Sequence, residues 1–320
     1  MTLGAHVRTL GRGPGRSRSL SREEAVDAMQ RMLSGEADPH AIGALLMLMR
    51  MKGETADEIA GFAQAAQQSL PALPRPALDW PSYAAGRTRG LPWFLLSARL
   101  VADAGHPVLM HGWNGADAAV RNGLAAAGIP VAEDPGAAAA LMARHGIAYL
   151  PLEQLSAPLF RLLRLRDVLH LRSCVNTVCR MLNPARATAS VQGVFHPPYR
   201  LLQADAGAIL GLDALTVIKG GGGEFERHPA KAIAGFGLRA GAAWETSFPA
   251  LLPEATRRLD DGESDPALLS QLWSGQRDDP FAEAVVLGTA ALALDTLGQA
   301  APFEAARELW QARRAARAAL

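Results

Sequence analysis

Residues 204–226 read ADAGAILGLDALTVIKGGGGEFE, and this stretch decides the fold class. Ala204–Leu210 has the small and apolar residues of a helix. Leu215-Thr-Val-Ile218 is a β-branched run of strand length, and four glycines stop it. A helix that feeds a short apolar strand ending in glycine is the repeating unit of a parallel sheet covered on both faces. The same alternation extends outward. A helix from about Leu91 to Ala104 precedes the apolar run Pro107-Val-Leu-Met110. Ala116–Ala127 reads as a helix before the strand Gly128-Ile-Pro-Val131, and Ala137–His145 as a helix before Ile147-Ala-Tyr-Leu150. Pro280–Gly298 is a further helix. The expectation is an α/β fold: a large domain over 76–320 with a mostly parallel central sheet.

The N-terminal part has another rhythm. Ser21-Arg-Glu-Glu24 and Thr55-Ala-Asp-Glu58 are capping boxes, and Asp38-Pro39 is an N-cap followed by a proline at the first helical position. Ile42, Leu45, Leu46 and Met49 form an apolar stripe. These signals predict a small helical domain over 21–72. The Gly/Arg/Ser-rich residues 1–20 read as a flexible tail, and the proline-rich PALPRPALDWP at 71–81 as a linker.

The chain has 320 residues, 49% of them apolar and 20% charged, which is enough to bury a core. No signal peptide or membrane-spanning run is evident, and a cytoplasmic location is expected. Cys174 and Cys179 fit no metal pattern and read as reduced structural thiols. No H-E-x-x-H or G-x-S-x-G occurs, so hydrolase chemistry has no support.

The net charge of +1 hides a dipolar layout. Seven arginines (Arg161, Arg164, Arg166, Arg172, Arg180, Arg186 and Arg200) stand against one acid, Asp167, between 161 and 200. Nine acids crowd 245–283 against three arginines. An arginine face repels itself unless a polyanion covers it, and phosphate contacts of this kind give sequence-independent nucleic-acid affinity. A solvated helix face is the plain alternative. Trp93, Trp113 and Tyr199 are positioned either to stack bases or to fill the core.

Several stretches suit phosphate or metal. Gly220, Gly221, Gly222 and Gly223 let backbone N–H groups approach an anion, with Lys219 adding charge. Glu224 and Glu226 are candidate Mg²⁺ ligands. Gly86, Arg87 and Arg89 stand in a glycine–arginine turn before a helix, a second phosphate candidate. His111 and Asn114 follow a strand, at the usual ligand edge. A flexible turn or a structural histidine is the plain alternative in each case.

Together these pieces resemble glycosyltransferase family 3, the anthranilate phosphoribosyltransferase-like proteins. The carriers are the helical run Ser21–Ser69, the stretch LHLRSCVNTVCRMLNP at 169–184, Gly193-Val-Phe-His-Pro197, and the 217–229 glycine–glutamate segment. The resemblance implies a small helical domain, completed by helices near 155–185, on a large α/β domain, as a homodimer. The family's Gly-Thr-Gly-Gly-Asp-Gly loop is replaced at 85–90, its Lys-His-Gly-Asn becomes Met110-His111-Gly112-Trp113, and its Asp-Glu pair becomes Glu224-Phe225-Glu226. Arg166 corresponds to the arginine that meets the anthranilate carboxylate. These departures resemble the YbiB branch. That implies a non-catalytic protein binding DNA or RNA, most readily single-stranded, through an arginine-rich groove. The alternative is an active phosphoribosyltransferase using phosphoribosyl diphosphate and Mg²⁺ with an unknown acceptor.

Overall fold

The computed structural model describes residues 2–83, 90–115 and 118–318. Four helices open the chain: α1 (Leu3–Gly11), α2 (Arg22–Ser34), α3 (Pro39–Lys52) and α4 (Ala56–Gln68). Both capping boxes form as their spacing predicts. The Ser21 and Thr55 side chains accept from the N–H of Glu24 and Glu58, whose carboxylates reach back to the cap N–H groups.

Residues 1–20 do not behave as a uniform flexible tail. Leu3, His6 and Leu10 are buried on one side of α1, against α2 and α3. His6 Nε2 lies 2.7 Å from Asp27 Oδ2. The spacing of these three residues is helical, and it outweighs the Gly/Arg/Ser composition around them.

Asp27 also accepts from Arg31, which with the His6 contact holds its carboxyl down to about 2. Glu24 is held at about 2 chiefly by its bond from Arg18. Both folded values lie below the ordinary carboxyl range near 4. The stabilisation is therefore complete above pH ~4.5 and is lost as pH falls toward 2. The thermal midpoint should drop over that window, and Asp27→Asn should flatten the drop. A midpoint constant from pH 5 to 2.5 would refute the assignment.

Seven strands form one sheet: β1 (Leu78–Ser82), β2 (Val108–Gly112), β3 (Ile147–Pro151), β4 (Ala189–Val194), β5 (Ala214–Lys219), β6 (Ile233–Arg239) and β7 (Ala242–Phe248). Their order is β3-β2-β1-β4-β5-β6-β7. The first five are parallel, and β6 and β7 add antiparallel. The expected mostly parallel sheet is present. Its side chains alternate between two cores. Val108 and Met110 face the core beneath helices Phe94–Asp103 and Pro280–Thr296, whereas Leu109 faces the core shared with the helical domain.

Two details of the expected layout are corrected. The segment read as a linker carries β1, a central strand. Pro81 is tolerated there because β1 pairs with β4 only at Leu78 and Asp79, so its missing N–H breaks no bond on that side. The strand expected at 128–131 is reduced to one bridge from Val131 to Tyr149. Helix Ala157–Arg164 packs on α2, and helix Val175–Arg180 packs on α4. Among the described residues no helix is long and apolar enough to cross a membrane.

Candidate functional site

The five parallel strands end along one edge of the sheet. Their C-terminal residues place Ser82, Gly112, Val194 and Lys219 together. Ligands bind at this edge of α/β folds.

The glycine run sits there but turns in on itself. Gly222 and Gly223 take positive φ (62° and 91°), which glycine adopts without strain. A Cβ on Gly220 would lie 1.6 Å from the Glu224 carbonyl oxygen. The N–H groups of Gly220, Gly221 and Gly223 donate to the carbonyls of Val194, Glu226 and Gly220. An anion cradle needs free N–H groups. Three of the four N–H groups expected to cradle a phosphate at Gly220–Gly223 are thus already engaged by backbone carbonyls, and Lys219 is left exposed at the end of β5.

The two glutamates also point inward. Glu224 is 1% exposed, and its Oε1 accepts from Ser82 Oγ (3.0 Å) and Asn114 Nδ2 (3.1 Å). Glu226 is 0% exposed, and its Oε2 accepts from the Phe94 N–H (2.9 Å) at the start of helix Phe94–Asp103. These carboxylates bind protein donors. Each places one oxygen on protein donors, and no group of three or more metal-type ligands gathers among the described residues.

His111 and Asn114 belong to the interior as well. His111 Nε2 meets Asp79 Oδ1 (3.1 Å), and its Nδ1 meets Tyr83 Oη (2.8 Å). Ser190 Oγ donates to the other Asp79 oxygen (2.8 Å). The Tyr83 carbonyl then accepts from Arg180 (3.0 Å) and from Asn176 Nδ2 (3.2 Å). Burial is the leading influence on Arg180 and lowers its pKa. Gly86, Arg87 and Arg89 lie outside the described residues.

The open space lies beside this network. A cleft of about 660 Å³ runs between the helical layer and the end of β4. Arg50, Arg166, Arg172 and Arg180 line it, with Glu54 and Asp167 as its only acids among the described residues. Arg50 donates to the Arg172 carbonyl (2.6 Å), which ties α3 to the segment before helix Val175–Arg180. Tyr199 Oη donates to Glu54 (3.1 Å). Burial, and then the adjacent carboxylate, push its phenol up to about 12.

The shared groove expected of the seven arginines is corrected too. Only Arg166, Arg172 and Arg180 line the main cleft. Arg164 pairs with Asp167 (3.0 Å), and Arg161 is exposed on the same helix. Arg186 lines a separate small pocket with Arg75 and Asp213. Arg200 lies over the Phe236 ring. A linear arginine count does not report which face each side chain takes. Arg50 joins the cleft from far upstream, and nothing local in the sequence marks it. The acids of 245–283 do not neutralise the cleft: Asp261, Glu263 and Asp279 pair with Arg257 and Arg277 in their own segment. Trp93 is buried in the sheet core, and Trp113 packs edge-to-face on Phe160 with Arg166 over it.

Residues 6–70 match the family model described as "Glycosyl transferase family, helical bundle domain". The chain is 31% identical to an anthranilate phosphoribosyltransferase of Methylobacterium nodulans over 301 residues, 88% of this chain and 86% of that protein. It is also 31% identical to one from Aeromonas salmonicida, over 68% of this chain but only 65% of the relative's length. Among solved structures, anthranilate phosphoribosyltransferase from Thermus thermophilus superposes with a TM-score of 0.81 at 23% identity, over 98% of this chain and 95% of that one. The Saccharomyces cerevisiae protein, solved in complex with PRPP and Mg, gives 0.78 at 15% identity over 98% and 95%. Those two likenesses concern the fold.

Proposed function

The chain belongs to glycosyltransferase family 3, the family of the anthranilate phosphoribosyltransferases, and on that premise we propose that its cleft binds phosphoribosyl diphosphate and transfers the phosphoribosyl group to a small acceptor. The observation that carries this reading is the set of four arginines around one cleft of small-molecule size at the C-terminal strand edge. A phosphorylated ribose presents several negative oxygens, and guanidinium groups meet such oxygens bidentately. In the transfer the bond from C1′ to the diphosphate breaks, a bond from C1′ to the acceptor forms, and the acceptor loses a proton. The arginines stabilise the charge that builds on the leaving diphosphate. The relative solved with PRPP holds Mg. Glu224 and Glu226 are engaged elsewhere in this chain, so the arginines carry the charge stabilisation in this reading.

A second reading, sequence-independent binding of single-stranded nucleic acid, is favoured by one observation. Arg161 stands exposed on the helix that leads to Arg166, with Arg164 beside it paired to Asp167, so positive charge continues outward from the cleft at Arg161. One experiment separates the two. Calorimetry with phosphoribosyl diphosphate should give saturable binding, while a labelled single-stranded DNA oligonucleotide should bind weakly at moderate salt. No heat with the diphosphate, together with tight DNA binding that weakens steeply with salt, would replace the first reading by the second.

A further inference from the structure

One residue of the cleft wall is a buried polar group that carries no charge. Gln203 lies on helix Tyr199–Leu210, lines the cleft and is 0% exposed. Neither its Oε1 nor its Nε2 has a hydrogen-bond partner among the described residues. Two other polar side chains of the cleft are engaged: Asn176 with Tyr83 and Arg180, and Tyr199 with Glu54. A buried carboxamide that has lost water at both ends is unfavourable unless something in the cleft replaces that water.

The chemistry of the missing partner follows from the group. A primary amide offers one acceptor and one donor side by side in a plane. Phosphate and carboxylate oxygens engage only the donor. The edge that satisfies both at once is a cis-amide, a carbonyl next to a ring N–H, as in lactam-type heterocycles. The wall nearby also suits a flat ring. Phe195 and His196 meet edge-to-face, with centroids 4.9 Å apart, where β4 enters the cleft.

We propose that Gln203 is a specificity determinant that reads the lactam edge of a heterocycle of the nucleobase class, seated in the cleft while the arginines hold its phosphoribosyl partner. The inference rests on the cleft reading above and names its acceptor class.

Calorimetry on the full chain tests it with three probes: ribose 5-phosphate, uridine 5′-monophosphate, and the N3-methyl derivative of the latter, which lacks the ring N–H. Uridine monophosphate should bind about tenfold tighter than ribose 5-phosphate, the effect of two added hydrogen bonds. The N3-methyl probe should lose that gain on the unaltered protein. Gln203→Met should lose it too, with ribose 5-phosphate affinity within about twofold of the parent and a thermal midpoint no lower. Equal affinity for uridine monophosphate and ribose 5-phosphate, a tight N3-methyl complex, or a gain retained in Gln203→Met would each overturn the assignment. Ribose 5-phosphate that binds without any base increment sinks this inference alone. If none of the three probes binds, the cleft reading falls with it.

Discussion

Replacing Gly193 with alanine should destabilise the protein by about 3 kcal/mol or more, lowering the thermal midpoint by about 4 °C or more. Gly193 lies in β4 opposite Ile218 of β5, and the chain after the glycine turn passes directly over it. A Cβ there would sit 2.0 Å from the Glu224 carbonyl carbon, 2.1 Å from its oxygen and 2.4 Å from the Phe225 nitrogen. All three atoms are backbone, so no side chain can rotate away. Relief requires the 220–226 turn to lift, and that turn places Glu224 on Ser82 and Asn114 and Phe225 on Trp80 (ring centroids 5.5 Å apart). Lifting it disturbs three buried contacts as well as the strand. Differential scanning calorimetry reads the shift. A midpoint within about 1 °C of the parent would mean that the turn yields freely and that the close approach is not structural.

Arg180→Met should weaken phosphoribosyl diphosphate binding about 100-fold. The side chain is 7% exposed, and the Tyr83 carbonyl and the Asn176 side chain hold it in place. These contacts use two of the guanidinium N–H groups and leave others for a ligand in the cleft. Hydrogen bonds to charged groups contribute roughly 1.5–3 kcal/mol each, and two decades of affinity correspond to roughly 2.8 kcal/mol. Arg180→Lys keeps the charge but not the fork and should recover only part of the loss. Arg161→Met, outside the cleft, should change affinity less than about twofold. Calorimetry on the three variants separates these outcomes. Full binding by Arg180→Met would remove the cleft as the phosphate site.

Parts of this molecule are legible locally and parts are not. The capping boxes at Ser21 and Thr55 are legible because each is made within four residues. The α/β class is legible because strand and helix periods alternate along the chain. β1 is hidden because Pro81 argues against a central strand, and only the short pairing with β4 removes the objection. α1 is hidden because its three buried residues are scattered among glycines and arginines.

The candidate site is where linear reading goes furthest astray. Glu224 and Glu226 have the residue type and spacing of metal ligands, yet their partners are Ser82, Asn114 and the Phe94 N–H, more than 100 residues away in sequence. The glycine run has the composition of an anion cradle, yet three of its four N–H groups are spent on backbone carbonyls. The family resemblance in the sequence did carry the family and the fold.

The sequence by itself determined the helical start, the alternating α/β body and the family, because caps, periodicity and motifs are properties of neighbouring residues. Only the tertiary structure decided which arginines share a cleft, that Arg50 joins them, that the glutamates serve the interior, and that Gln203 has no partner among the described residues. Those facts depend on which side of each element faces which other element, and that is set by burial across long sequence separations.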